Sequence, residues 1–379
     1  LAYRRSALMT ANKVTTKPPT KEVLESREDF AAFCTHLGKP PAKHMLEWHV
    51  ELCSGVDSEC LLGVGGKNTS ILAPRGSAKS TVLGLFAAWM IGRHAQAKQM
   101  LRILYISYMV DIARAKSATI KGILASSKFR EIFPMVRLSK IRRSDEYWSI
   151  DYEFAGIDTS GEEAFTIACG GLKGAITSKR SQLVLIDDPI KSAVSINNPD
   201  IRREMETTWT NVIAPTMFQG ARAICLGTRF HFDDLHATLF VPKNNWKQVV
   251  QQAIITSEDG KQRSYWPEFW SMKYLKERKM EDRVAFAYQY MNTAVQSSEV
   301  GISPDLIIKG VVPDDYDCLG VGIDLSSGMN EKNDWTVFTL GGISEGKTYL
   351  IDQRRCSSMG NLEKMDTLCE MLADWNILN

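Results

Sequence analysis

Residues 71–81, ILAPRGSAKST, restrict the possible folds of this chain more than any other segment. A short apolar run leads into Lys-Ser-Thr, and a mostly apolar helical pattern follows over residues 80–96. A loop that joins a buried strand to a helix can bind phosphate, because its backbone N–H groups and the helix N-terminus both point at the anion. Ala73 and Ala78 stand where the usual G-x-x-x-x-G-K-[ST] pattern has glycine, so an ordinary strand-turn-helix is the alternative interpretation.

If the loop binds a nucleotide, two of its side chains have predictable roles. Lys79 would reach the β- and γ-phosphates, and the Ser80 hydroxyl would ligate Mg²⁺. The residues predicted to surround the phosphates are Pro74, Arg75, Gly76, Ser77, Ala78, Lys79, Ser80 and Thr81. Alanine at position 78 restricts the backbone but keeps the small volume that such a loop requires.

Two strand-like runs downstream end in polar residues that would complete such a site. Residues 182–187, QLVLID, place four apolar residues before Asp187 and Asp188. A carboxylate at the carboxyl end of a core strand can hold Mg²⁺ and its neighbour can polarise water, so Asp187 is predicted as the metal ligand and Asp188 as the base. A strand that simply ends in an Asp-Asp-Pro turn is the alternative. Thr228, just after the apolar run 223–226, is predicted to sense the γ-phosphate.

Short β-rich runs alternate with helical patterns from residue 71 to residue 228. The β-rich runs are 71–73, 101–107, 165–169, 182–187 and 222–228, and the helical patterns cover 80–96 and 110–124. This alternation predicts an α/β domain built on a mostly parallel sheet.

The pattern changes after residue 300, where Pro, Gly and Asp become frequent. Three strand-like runs with hairpin-length connections and one helical run follow, at residues 319–327, 335–342, 347–355 and 362–375. They predict a separate unit with the order strand-strand-strand-helix. We therefore expect a flexible N-terminal arm, a first domain, a linker and a second domain, at residues 1–25, 26–295, 296–318 and 319–379.

Composition excludes several classes of protein. The net charge of +2 is too small for binding of nucleic acid over the whole surface, so such binding would need local basic patches. Eight single cysteines without a C-x-x-C pair fit a reducing cytosol better than a disulfide framework or a zinc ribbon. The longest strongly apolar run, residues 82–92, is shorter than the roughly 18 residues of a membrane span, so no membrane partner is expected.

Basic residues are frequent between positions 114 and 143, where Glu131 is the only acidic residue. They are Arg114, Lys116, Lys121, Lys128, Arg130, Arg137, Lys140, Arg142 and Arg143. The segment would follow a nucleic-acid backbone, supply an arginine to the ATP of a neighbouring subunit, or form the solvated faces of helices. Lys173, Lys179 and Arg180 are alternative candidates for the first two roles.

Six motifs in this order resemble the large terminase subunit of tailed bacteriophages, a DNA-packaging motor that also carries a nuclease. The motifs are APRGSAKS, LVLIDDP, ICLGTRFHFDDLH, YWPEFW, GIDLSSG and NDWTVFTLGG. The resemblance implies a P-loop NTPase fold of the additional-strand catalytic-glutamate type, followed by an RNase H-like nuclease domain. Phosphate loops in this family often carry an arginine and lack glycines, which would account for Arg75 and Ala78 and favours the phosphate-binding interpretation.

The resemblance implies hydrolysis of ATP with Mg²⁺, coupled to translocation of double-stranded DNA into a procapsid. The catalytic residues would be Arg75, Lys79, Asp188 and Thr228. The family commonly has Glu at the position of Asp188, whose side chain is one methylene shorter. The adenine-contacting segment has a counterpart only in residues 40–53, where His44 and Trp48 would contact adenine or simply pack.

The implied partners are double-stranded DNA, the portal protein of the procapsid and the small terminase subunit. The chain would act as a homo-oligomeric ring assembled on the portal. Its expected location is the host cytoplasm and, transiently, the procapsid portal, and it is not expected in the mature virion.

In the second domain, the resemblance makes Asp324 a catalytic and metal-binding carboxylate of a nuclease that uses Mg²⁺ or Mn²⁺. Two-metal chemistry needs several carboxylates from different strands, and Asp334 and Asp352 are the other nearby acids. Because the sequence stops after the first helix of this domain, we expect the nuclease to be truncated and inactive in this chain.

Two other functions fit parts of the pattern. A P-loop helicase or transposition ATPase would carry the same loop and Asp pair. A nucleotide-dependent DNA-binding adaptor that does not hydrolyse ATP would be consistent with Ala78 and Asp188.

Overall fold

The computed structural model describes residues 18–54, 67–172, 179–192, 194–293, 310–325, 335–357 and 359–377. Lys173 and Asp334, which the sequence analysis names, lie outside these ranges. The chain divides into two compact units, one that ends at Ser297 and one that begins at Ser298.

The first unit combines helices and strands along its whole length. Its helices are α1 (Lys21–Glu28), α2 (Phe30–His36), α3 (Met45–Cys53), α4 (Lys79–Gln96), α5 (Val110–Ala125), α6 (Ser127–Ile132), α7 (Pro199–Thr208), α8 (Leu235–Thr238), α9 (Met272–Glu281) and α10 (Arg283–Gln289). Its strands are β1 (Asn68–Leu72), β2 (Ile103–Ser107), β3 (Leu138–Arg143), β4 (Tyr147–Ile150), β5 (Ile167–Gly171), β6 (Ser181–Asp187), β7 (Met217–Gly227), β8 (Trp246–Val250), β9 (Ile254–Thr256) and β10 (Gln262–Ser264). Among the described residues, no helix is long and apolar enough to cross a membrane.

Helix α1 begins inside the segment expected to be a flexible arm. The Thr20 side chain accepts a hydrogen bond from the Val23 N–H, and this cap satisfies one of the free donors of the first turn. The start of α1 at Lys21 therefore differs from the expectation of a flexible arm over residues 1–25.

Eight strands form one sheet in the order β3-β4-β5-β2-β6-β7-β1-β8. The six strands from β5 to β8 run parallel to one another, and β3 and β4 continue the sheet in antiparallel pairings. The mostly parallel α/β fold predicted from the sequence is thus confirmed. Strand β7 lies between β1, which leads into the loop, and β6, which ends in Asp187; this is the additional strand that the resemblance implies.

The sheet is covered on both faces. Along β2, Ile103 and Tyr105 lie in one apolar cluster, whereas Leu104 and Ile106 lie in a second. Since successive side chains of a strand point to opposite faces, these are two separate cores. Helix α4 belongs to the first core and is buried on nearly all sides, while α7 and α8 contribute to the second. The carboxyl ends of β1, β6 and β7 consequently meet at one edge of a three-layer domain.

The second unit is a small antiparallel sheet with one helix. Strands β11 (Cys318–Asp324), β12 (Thr336–Ser344) and β13 (Lys347–Cys356) pair in that order, and α11 (Asn361–Asp374) follows. Met371 of α11 packs on Phe338 and Leu340 of β12. The strand-strand-strand-helix order agrees with the sequence pattern, and its assignment to an RNase H-like domain remains a prediction.

Candidate active site

The loop between β1 and α4 has a left-handed backbone at two positions. Gly76 has a φ of 82°, and Ala78, immediately before α4, has a φ of 63°. Gly76 is also required for space, because a Cβ atom there would lie 2.9 Å from Cζ2 of Trp270. The Arg75 N–H donates to the carbonyl oxygen of Gln289 at 2.9 Å. Residues far along the chain therefore hold the loop in its shape.

The two alanines that replace glycines in the loop differ in their backbone. A left-handed conformation costs a residue with a side chain about 1–2 kcal/mol, and Ala78 bears this cost. Ala73 has no positive φ, and its methyl group is fully buried. Position 78 alone of the two therefore favours glycine.

We expect Ala78→Gly to raise the free energy of unfolding by about 0.5–1 kcal/mol, because the relief of backbone strain exceeds the added entropy of the unfolded chain. Ala73→Gly is the matched control and should lower that free energy by about 1 kcal/mol, since it loses a buried methyl group. Urea denaturation of both variants measures the two changes. A destabilised Ala78→Gly protein would contradict the left-handed backbone at this position.

Lys79 lies between the ends of two strands. It is 4% exposed, and its Nζ donates to Thr228 Oγ1 at 2.9 Å and lies 3.4 Å from Asp188 Oδ1. A buried ammonium group is costly unless it is paired, and both partners here come from the strand ends named in the sequence analysis. The structure therefore brings together three of the predicted catalytic residues.

Asp187 forms a second cluster beside Lys79. Its carboxylate accepts hydrogen bonds from Ser80 Oγ at 2.8 Å and from the Tyr105 hydroxyl at 3.0 Å. The Ser107 hydroxyl donates to the main-chain oxygen of Asp187 at 2.7 Å. Tyr105 and Ser107 were not predicted as site residues. The available signal was their place at the end of a predicted strand, because β2 and β6 pair in parallel.

The surroundings of Asp187 suit a divalent cation. Burial raises the pKa of its carboxyl group and the nearby charge of Asp188 raises it further, against the lowering effects of Ser80 and Lys116. A cation bound beside these groups would favour the charged carboxylate. A carboxylate and a serine hydroxyl 2.8 Å apart are also the hard oxygen ligands that Mg²⁺ prefers. Ser80 and Asp187 thus fit the predicted magnesium site.

Asp188 turns away from the strand that carries it. It has a φ of 45°, and its N–H donates to the Leu226 carbonyl oxygen at 2.8 Å. Its side chain is 45% exposed, in contrast to the buried Asp187. Within the described part of the chain, Asp188 Oδ1 accepts no hydrogen bond. That oxygen is buried and lies 3.4 Å from Lys79 Nζ, so a ligand or a water molecule would reach Asp188 through the exposed part of its side chain.

A cavity of about 220 Å³ opens among these groups. Ser80, Asp187, Asp188 and Thr228 line it, together with three cations, Arg75, Lys116 and Lys191. None of the three cations has an ion-pair partner among residues that the structure describes. Unpaired cations next to two carboxylates form a site for an anion that carries a divalent metal ion, such as a nucleotide polyphosphate.

A larger cavity of about 510 Å³ lies alongside, between α4 and α5. It shares Ser80 and Lys116 with the smaller cavity, and its other lining residues include Gly84, Leu85 and Ile123. Neither Asp188 nor Thr228 lines it, so the smaller cavity is the better candidate for chemistry.

The remaining loop residues divide by exposure. Ser77 is fully buried, and Thr81 is exposed on the first turn of α4. Pro74 is buried, and its carbonyl oxygen accepts the Ser77 N–H at 3.2 Å. These contacts shape the loop and leave Arg75 as its exposed charged side chain.

His44 and Trp48 lie in an aromatic cluster with Tyr265 and Trp266. The His44 ring is 4.6 Å from the Tyr265 ring and 4.8 Å from the Trp266 ring, measured between centroids. Burial lowers the pKa of His44 to about 4, so the ring is neutral at pH 7. These contacts account for packing, and a contact between these residues and adenine stays a prediction.

Many of the predicted basic residues are already paired. Arg114 contacts Asp111 and Glu146, Lys121 contacts Asp145, and Lys179 contacts Glu163. Lys140, Arg142 and Arg143 are exposed on β3, the edge strand of the sheet. The Arg142 guanidinium lies 6.0 Å from the Tyr147 ring, and no ion pair involves these three residues in the described ranges. Part of the free positive charge of this segment therefore lies on the sheet edge, and Lys116 carries another part into the small cavity.

The acids of the second unit do not converge. Asp324 pairs with Val337 across β11 and β12, whereas Asp352 pairs with Leu340 across β12 and β13. Because positions 337 and 340 are three residues apart on one strand, the two carboxylates lie on opposite faces of the sheet. Asp352 also accepts hydrogen bonds from Arg354 Nε and Trp375 Nε1. Within the described residues, no group of three His, Cys, Asp or Glu side chains could hold a metal ion.

The strand order and the loop define the first unit as a P-loop α/β domain of the additional-strand type. Solved structures similar to the chain are large terminases, the family that its motifs resemble. The large terminase of a thermophilic bacteriophage in complex with ATP-gamma-S is 13% identical, with a TM-score of 0.41 over 88% of this chain and 74% of that chain.

Two further structures are similar at the same level. The large terminase of bacteriophage HK97 is 14% identical, with a TM-score of 0.42 over 94% of this chain and 71% of that chain. The ATPase domain of the Thermus phage P74-26 large terminase is 13% identical, with a TM-score of 0.40 over 69% of this chain and 97% of that chain. No family model and no curated protein matches the chain. At this low similarity, a function for the chain depends on its own site.

Proposed function

We propose that this chain is the ATP-hydrolysing subunit of a motor that moves double-stranded viral DNA into a procapsid. The observation that carries the ATPase part is the contact of Lys79 with both Thr228 and Asp188, beside the Ser80–Asp187 pair. These five side chains come from two strand ends and one helix start, and four of them, Ser80, Asp187, Asp188 and Thr228, line one small cavity.

The geometry supports a separate role for each of these side chains during ATP hydrolysis. Entry of the triphosphate gives Lys79 a new anionic partner, so Asp188 is released to orient and polarise the attacking water. Thr228 donates to the γ-phosphate from the end of β7. Ser80 and Asp187 would hold Mg²⁺, which when bound neutralises charge on the β- and γ-phosphates.

The test of the ATPase is phosphate release by the purified chain with ATP and Mg²⁺, with and without EDTA. We expect release that depends on Mg²⁺. A chain that binds ATP without releasing phosphate would instead be the non-hydrolysing adaptor.

The order of motifs, which resembles that of large terminases, supports double-stranded DNA as the load. The exposed cations Lys140, Arg142 and Arg143 on β3 are the surface that would follow its phosphate backbone. The motor would work as a homo-oligomeric ring on the portal protein, with the small terminase subunit bringing the DNA. We place it in the host cytoplasm and at the procapsid portal during packaging.

Translocation is distinguished from strand separation with two DNA substrates. A motor that tracks along a duplex displaces a third strand from a triplex in the presence of ATP and leaves a forked duplex paired. Unwinding of the fork would favour a helicase. ATP turnover that rises with DNA but moves neither substrate would favour a transposition ATPase.

For the second unit we propose a nuclease function, although the acids that the structure describes in this unit do not converge on one site. Asp324 is the candidate metal ligand for Mg²⁺ or Mn²⁺, and Asp352 lies on the other face of the sheet. Two-metal cleavage needs carboxylates that converge, so plasmid incubated with the chain and either ion should stay intact. Cleavage that disappears in Asp324→Ala would show that the acids of this chain suffice.

A further inference from the structure

One cation of the small cavity belongs neither to the phosphate loop nor to a strand end. Lys116 lies on α5 and lines the cavity together with Ser80 and Asp187. Its side chain is half-buried. It makes no hydrogen bond or ion pair with any residue of the described ranges, although its charge acts on Asp187.

Lys116 differs in this respect from the other basic residues of its helix. Arg114 is paired with Asp111 and Glu146, and Lys121 Nζ lies 2.5 Å from Asp145 Oδ1. An ammonium group held in a partly buried place gains when an anion supplies the missing partner. Asp187 does not fill this role, since no ion pair joins it to Lys116 in the described residues and its carboxylate accepts hydrogen bonds from Ser80 and Tyr105.

We propose that Lys116 contacts the γ-phosphate of bound ATP within the same subunit, from a helix other than the one that carries Lys79. This inference rests on the proposed function. The γ-phosphate is the favoured partner because the cavity that Lys116 lines is also lined by Asp187, Asp188 and Thr228. In the proposed function these residues hold the metal ion, orient the attacking water and donate to the γ-phosphate, respectively. Lys116 is thus an additional binding residue that the loop pattern does not include.

The test compares Lys116→Ala with Lys121→Ala, a matched lysine of the same helix that pairs with Asp145. Calorimetry with Mg²⁺ measures the affinity of each variant for ATP-γ-S and for ADP, and phosphate release gives kcat/KM for ATP. We expect Lys116→Ala to lose about 10-fold or more in affinity for ATP-γ-S and in kcat/KM, with ADP affinity within about 2-fold. Lys121→Ala should behave as wild type, and Lys116→Arg should restore part of the loss.

Circular dichroism and melting temperature show whether each variant folds. If Lys116→Ala does not fold, Lys116→Gln replaces it in the binding and turnover measurements. Unchanged affinity for ATP-γ-S in the folded variant would overturn the inference, as would equal losses for ATP-γ-S and ADP. Both results leave the proposed function standing, because wild type still binds and hydrolyses ATP. A wild-type chain that binds neither nucleotide would overturn the proposed function and this inference with it.

Discussion

In the Lys79→Ala variant, ATP hydrolysis should fall by about 10²- to 10³-fold or more, because the transition state loses a preorganised positive charge. The Lys79 ammonium is buried and already lies against Thr228 and Asp188, so it needs little rearrangement to meet a phosphate. Phosphate release under saturating ATP and Mg²⁺ measures the effect.

Lys276→Ala is the matched control for this variant. Lys276 is exposed on α9 and lies outside the cavity lining, so its removal should leave turnover unchanged. Because Lys79 is buried and paired, the melting temperature of Lys79→Ala must be compared with wild type, and Lys79→Met keeps the stem if alanine unfolds the protein. Near-normal turnover in a folded Lys79 variant would show that the loop is not a phosphate-binding loop.

Asp188→Asn should still bind ATP with Mg²⁺ and hydrolyse it at least about 10²-fold more slowly, because the amide cannot act as a base. The adjacent Asp187→Asn variant should instead lose affinity for the metal–nucleotide complex, since Asp187 is the residue paired with Ser80. Binding of ATP-γ-S with Mg²⁺ and single-turnover hydrolysis separate the two effects. Equal loss of binding in both variants would indicate a structural Asp-Asp turn.

Asp188→Glu is the informative control at this position. It keeps the carboxylate and moves it by one methylene, so measurable hydrolysis should remain. An inactive Asp188→Glu beside an active wild type would mean that the left-handed backbone at Asp188 places the shorter side chain where a longer one cannot work.

The groups at the strand ends could be predicted from the sequence because each follows a continuous apolar run. Once β1, β6 and β7 run parallel, their carboxyl ends share one edge, and Thr228 and Asp188 reach Lys79. Strand β8 was not predicted, because WKQVV mixes polar and apolar residues and has no helical pattern before it to mark a crossover. The antiparallel strands β3 and β4 were not predicted either, because the most prominent feature of the sequence that leads into them is its basic residues.

Contacts that depend on packing between residues far apart in the sequence could not be predicted. No local pattern shows that Lys116 turns toward Asp187, since every basic residue between positions 114 and 143 is equivalent in the sequence. The opposite faces of Asp324 and Asp352 follow from the strand register, which a list of nearby acids does not contain.

The contact of Trp270 with Gly76, together with the hydrogen bond from Arg75 to Gln289, has a consequence for the newly made protein. When the growing chain has emerged from the ribosome only to the end of β8, every strand of the large sheet is present. Trp270 and Gln289, the two residues that hold the loop, have not yet emerged. The sheet would assemble first, and the site would become able to hold ATP only after about 40 more residues have emerged. A nucleotide analogue added to stalled chains of increasing length should therefore bind only to chains that include Trp270 and Gln289.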